Sequence, residues 1–81
     1  MSLLEDVSLA LQAGRAPKVK ELVQQAVDEG IPAKDVLEQG LLSGMSVVGE
    51  KFKNNEVFVP EVLIAARAMN AGVAILKPYL T

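Results

Sequence analysis

Apolar residues recur at helical spacing in four successive segments of the chain. In the first, Leu4, Val7, Ala10 and Leu11 share one side while Glu5, Asp6 and Gln12 lie elsewhere. This predicts a helix from Leu3 to Ala13, and Ser2 followed by Glu5 has the spacing of a capping box at its start. The second segment begins at Pro17 and presents Val19, Leu22, Val23, Ala26 and Val27. Lys18, Lys20, Glu21, Gln24, Gln25, Asp28 and Glu29 cover its other face.

The third segment is the longest, from Pro32 to Lys53, or roughly 30 Å at 1.5 Å per residue. Leu37, Leu41, Met45, Val48 and Phe52 step by four or three, with Val36, Leu42 and Val47 widening the stripe. Asp35, Gln39, Ser46, Glu50 and Lys53 keep one face wet. Gly40, Gly44 and Gly49 sit inside this helix, each at a cost of up to about 1 kcal/mol relative to Ala. Close approach of another helix at all three is the expectation. The fourth segment starts at Pro60, with Glu61 in the first turn where an acid complements the helix dipole. It carries two apolar stripes: Val59, Leu63, Ala66 and Val73 on one, and Phe58, Val62, Ala65, Met69 and Leu76 on the other. Six small residues (Ala65, Ala66, Ala68, Ala71, Gly72 and Ala74) make it thin. A thin helix that is apolar on two sides is central in a bundle or touches two different objects.

Turn residues agree with these boundaries. Gly14 is followed by Pro17, Gly30 by Pro32, Asn54-Asn55 by Pro60, and Pro78 closes the last piece. Gly and Asn suit the left-handed stop, and Pro suits the first helical turn. Val57-Phe58-Val59 is too short to pair alone as a strand. The expected fold is all-α, an antiparallel four-helix bundle forming one domain over residues 1–81.

Composition narrows the function. A hydrophobic fraction of 51% excludes intrinsic disorder. The chain has 81 residues, no Cys and no His, so it lacks disulfides, thiolate metal sites and the commonest general base. With a net charge of -2, and Arg15, Lys18 and Lys20 as the only basic group, it lacks the footprint of a nucleic-acid binder. The N-terminus has no basic signal-peptide flank, and no apolar run approaches about 18 residues. A cytoplasmic protein without a membrane span is expected.

Catalysis finds little support. Ser43 and Ser46 have only Lys51 as a nearby base, and Glu50, Glu56 and Glu61 cluster near a helix end where solvated acids are normal. Glycines within a helix do not make a phosphate loop. One connection stands out: Asn54-Asn55-Glu56-Val57-Phe58-Val59 puts an aromatic and two valines where a polar turn belongs. Either Phe58 folds back as a hydrophobic staple and Phe52 caps the core, or the two rings border an apolar face for a ligand or another domain.

The same region carries a resemblance. Gly40-Leu41-Leu42-Ser43-Gly44-Met45, Val47-Val48-Gly49-Glu50-Lys51-Phe52, Glu56-Val57-Phe58-Val59-Pro60-Glu61-Val62-Leu63 and Ala65-Ala66-Arg67-Ala68-Met69 follow in order. This series resembles the helical cap domain of methyl-transferring corrinoid proteins and the equivalent cap of cobalamin-dependent methionine synthase. The resemblance implies a cap over the upper face of the corrin, with a following doubly wound α/β domain that holds the cofactor. It implies cobalamin only together with that separate domain, whose Asp-x-His-x-x-Gly motif this chain lacks, and none on this chain alone. By position, Phe58, Val62 and Ala65 would face the corrin, with Phe52 and Met69 as neighbours, and no residue would ligate the metal. The implied role is non-catalytic: covering methylcobalamin while a methyl passes from a simple substrate such as methanol or a methylamine to a one-carbon acceptor. The implied partners are the α/β domain and a cognate methyltransferase, and an uncovered cap face also allows a homodimer. A free-standing helical interaction or dimerisation module without a cofactor is the alternative.

Overall fold

The helix boundaries follow from local chemistry at most of the chain's turns. In a computed structural model that describes residues 2–80, α1 (Leu3–Gln12) opens on Ser2. The Glu5 N–H donates to Ser2 Oγ at 3.1 Å and the Ser2 N–H to Glu5 Oε1 at 3.4 Å, the reciprocal box the sequence predicts. α2 (Ala16–Asp28) begins one residue before Pro17, which still falls in the first turn where its missing N–H is no loss. α3 occupies residues 33–53 and α4 spans Val59–Leu76, followed by a 3-10 turn at Lys77–Tyr79. Among the described residues these four helices account for the fold, with no strand.

The first three helices end alike. Gly14, Gly30 and Asn55 take left-handed conformations, with φ of 71°, 83° and 63°. In each case the next residue's N–H bonds back to a carbonyl inside the helix: Arg15 to Ala10, Ile31 to Ala26 and Glu56 to Lys51. This is the Schellman closure, and it explains why Gly and Asn stand at these three stops.

Short connections make α1–α2 and α3–α4 antiparallel pairs, and the pairs interlock. α1 lies along α3, and α2 makes its own most extensive contact with α4. The Cα radius of gyration, 11.9 Å, matches the roughly 12 Å of a closed domain this size, so the chain has a core of its own. Val7, Leu11, Val19, Val23, Val36, Leu41 and Leu76 are its largest sealed side chains.

α3 differs from the predicted regular helix. Ala33–Asp35 and Ser43–Lys53 are α-helical, but Val36–Leu42 between them is π-helical. The wider i→i+5 turn brings residues five apart towards one side. Val36 and Leu41, which an unbroken α-helix would separate by about 140°, are thereby both fully buried. The predicted stripe shifts accordingly. Val36, Leu41 and Val48 line the core, Leu37 and Met45 are half-buried, and Phe52 is exposed.

Two of the three α3 glycines meet the expectation of close approach. A Cβ at Gly40 would lie 3.0 Å from Val7 Cγ1, and one at Gly44 would lie 2.9 Å from the Ser8 carbonyl oxygen, both on α1. Gly49 departs from it: nothing lies within 4 Å of a Cβ there.

The expectation that no segment is long and apolar enough to cross a membrane also needs correcting. Val59–Tyr79 meets that criterion by length and composition, because Val, Leu, Ile and Ala outweigh its few polar residues. In the fold, Ala65, Ala68, Gly72 and Leu76 of this segment are buried against the bundle.

Candidate functional site

The link between α3 and α4 breaks local rules in favour of exposure. Phe58 is the N-cap of α4, with extended backbone (φ −113°, ψ 170°). That position favours Ser, Thr, Asp or Asn, whose side-chain oxygen takes a free N–H; a residue without one forgoes about 1 kcal/mol. Only the reverse arm of the box remains, with the Phe58 N–H donating to Glu61 Oε1 at 3.2 Å. The Phe58 ring is 68% exposed, so it neither caps nor packs. Val57 and Val62, both half-buried, hold the staple positions instead, which removes the staple reading of Phe58.

Phe58 continues into a bare apolar edge. Val59 is 54% exposed and Leu63 56%, and Phe52 at the end of α3 is 45% exposed. Val62 and Met69 are half-buried and pack against the core cluster. Ala65 is a correction: at 1% exposure it belongs to the core, in register with Ala68 and Gly72, and cannot present itself to another body. The outward stripe of α4 at this end is therefore Val59 and Leu63, which sequence reasoning placed on the other side. Both stripes are apolar, so periodicity by itself could not tell the sealed one from the bare one.

α3 contributes a second flank. Leu42, Met45, Gly49 and Phe52 recur at steps of three and four along one side of it. That side is turned away from α1, which Gly40 and Gly44 face, while Leu41 between them reaches Gly72 of α4. Leu42 is exposed and Met45 half-buried, so this flank is apolar and partly open.

This surface offers apolar contact rather than reactive groups. Ser43, Ser46, Lys51, Glu50, Glu56 and Glu61 are all exposed, and among the described residues no cluster of three His, Cys, Asp or Glu could hold a metal. Polar clefts lie elsewhere, along α1: Asp6, Leu9, Arg15 and Lys18 help line one, and Glu5, Gln12, Gln39 and Ser43 another.

Residues 3–77 match the B12 binding domain family. A corrinoid protein of Desulfitobacterium hafniense is 44% identical over 80 residues, which make up 99% of this chain and 37% of that protein. The trimethylamine corrinoid protein of Methanosarcina barkeri is 42% identical over 61 residues, 75% of this chain and 28% of that one. The solved structure of the Methanosarcina barkeri monomethylamine corrinoid protein superposes with a TM-score of 0.91 at 30% identity, over 94% of this chain and 36% of that chain. The chain thus spans roughly a third of the length of these relatives.

Proposed function

The chain belongs to the B12 binding domain family, and from that premise we propose that it is the helical cap of a corrinoid methyl carrier. It rests on the upper face of a corrin held by a separate α/β domain, and serves transfer from a simple methylated substrate such as a methylamine. The observation that carries this reading is Phe58: an aromatic placed at an N-cap, where it costs stability, and left 68% exposed. Local rules are broken in this way where a surface is made for a partner.

The residues fit the group. The upper side of a corrin is broad and largely apolar, and Phe58, Val59, Leu63 and Phe52 offer apolar area with no side-chain atom that competes for a metal. A bound corrin would supply the methyl-transfer chemistry. The chain's own residues do the rest. Phe58 and Leu63 exclude water and nucleophiles from the covered face, and the sealed core of the bundle (Leu41, Val48, Leu76) lets it move as one body when access is needed. The chain takes no chemical step itself.

The test is the photolysis rate of methylcobalamin in the holoprotein, where the chain is joined to its corrinoid-binding domain. Phe58→Ala is expected to speed photolysis several-fold while the bundle stays folded. An unchanged rate in a folded variant removes Phe58 from the proposed cover. If the bundle serves as a dimerisation module instead, the same substitution shifts a dimer to monomer in sedimentation and leaves photolysis alone.

A further inference from the structure

We propose that Gly49 is the clearance position of this cap, where the corrin rim packs against bare α3 backbone; the inference rests on the cap reading above. Every other glycine has a reason within the chain. Gly14 and Gly30 have positive φ, and a Cβ at Gly40, Gly44 or Gly72 would come within about 3 Å of a neighbouring helix. Gly49 has neither reason. It lies mid-helix and exposed, with open space where its side chain would be. A glycine in such a place costs up to about 1 kcal/mol against Ala and gains the bundle nothing.

Its position supplies the reason that the bundle does not. Gly49 lies between Met45 and Phe52 on the α3 flank turned away from α1, about one helical turn before exposed Phe52 and the link to Phe58. A broad, rigid macrocycle seated on the edge formed by Phe58, Val59 and Leu63 extends past any single helix, and its rim meets α3 next. There a missing Cβ lets the ring settle onto Phe52 and Phe58 instead of being propped away from them.

The test separates stability from cover by the sign of the effect. Gly49→Ala is expected to raise the Tm of this 81-residue chain by about 4–8 °C, since it adds helix propensity without a clash. In the holoprotein the same substitution is expected to speed methylcobalamin photolysis at least threefold, and Gly49→Gln to speed it further. A raised Tm with unchanged photolysis overturns the proposal, as does a lowered Tm, which gives the glycine a role inside the bundle. Phe58→Ala in the same assay tells the two failures apart. If it accelerates photolysis while Gly49→Ala does not, only the clearance role falls; if neither does, the cap reading falls with it.

Discussion

The Leu41 side chain fills the space beside Gly72 that a larger residue would need: a Cβ there would lie 2.9 Å from Leu41 Cδ2 and 3.1 Å from Val19 Cγ1. One glycine in α4 thus lets α2 and α3 both close onto the same point. Leu41 and Val19 are fully buried and have no room to yield. Gly72→Ala is expected to destabilise the chain by about 1–3 kcal/mol despite its better helix propensity. Gly44→Ala should behave likewise, because the obstacle is the Ser8 backbone carbonyl. Thermal or urea melts of both variants check this, and a rise in stability for either would mean that the helices can separate cheaply.

Phe58 and Leu41 should respond oppositely to truncation. Leu41→Ala removes a sealed core side chain and is expected to cost roughly 2–5 kcal/mol, enough to unfold much of the population of a domain this small. Phe58→Asp gives α4 the capping oxygen it lacks and loses little buried area. It is expected to stabilise by about 0.5–2 kcal/mol while abolishing the apolar cover. Denaturant midpoints measured side by side decide the matter. Equal losses at both positions would show that the Phe58 ring is part of the core.

These contrasts also mark what could be read from the residues beforehand. The four helices and their stops were legible because Ser2, Gly14, Gly30 and Asn55 each have a strong local preference that the fold respects. The π-helical turn at Val36–Leu42 was not, since its cause is tertiary: Val36 and Leu41, five residues apart, are both sealed in the core. Phe58 and Phe52 stood out as aromatics in or beside a turn. Ala65 was misassigned, and Val59 and Leu63 were passed over, for a single reason. α4 is apolar nearly all round, and only the packed neighbours show which side is sealed.

The α1 cap makes a local prediction. Ser2 and Glu5 satisfy each other's N–H groups at the start of a ten-residue helix, and α1 closes the core over α3. Ser2→Ala is expected to cost about 1 kcal/mol, and Glu5→Ala less, because it removes only the longer of the two bonds. Hydrogen exchange in α1 should quicken more than in α4. Uniform quickening across the chain would show that α1 does not open separately.

The last prediction concerns what the bare edge does when nothing covers it. Phe58, Val59 and Leu63 lie close together at one end of α4 and are each more than half exposed, and Phe52 adds to them from α3. Contiguous apolar surface of this kind tends to find a partner, and at high protein concentration the nearest one is a second copy. The isolated chain is therefore expected to self-associate weakly in sedimentation, the association growing with concentration. Leu63→Lys puts a charge on the edge without touching the core and should return the chain to monomer with its Tm unchanged. On the proposed cap reading, adding a corrinoid-loaded companion domain should have the same effect on self-association, by competing for the same residues. Self-association that survives both treatments would place the contact on another face, such as the exposed Leu9 side of α1.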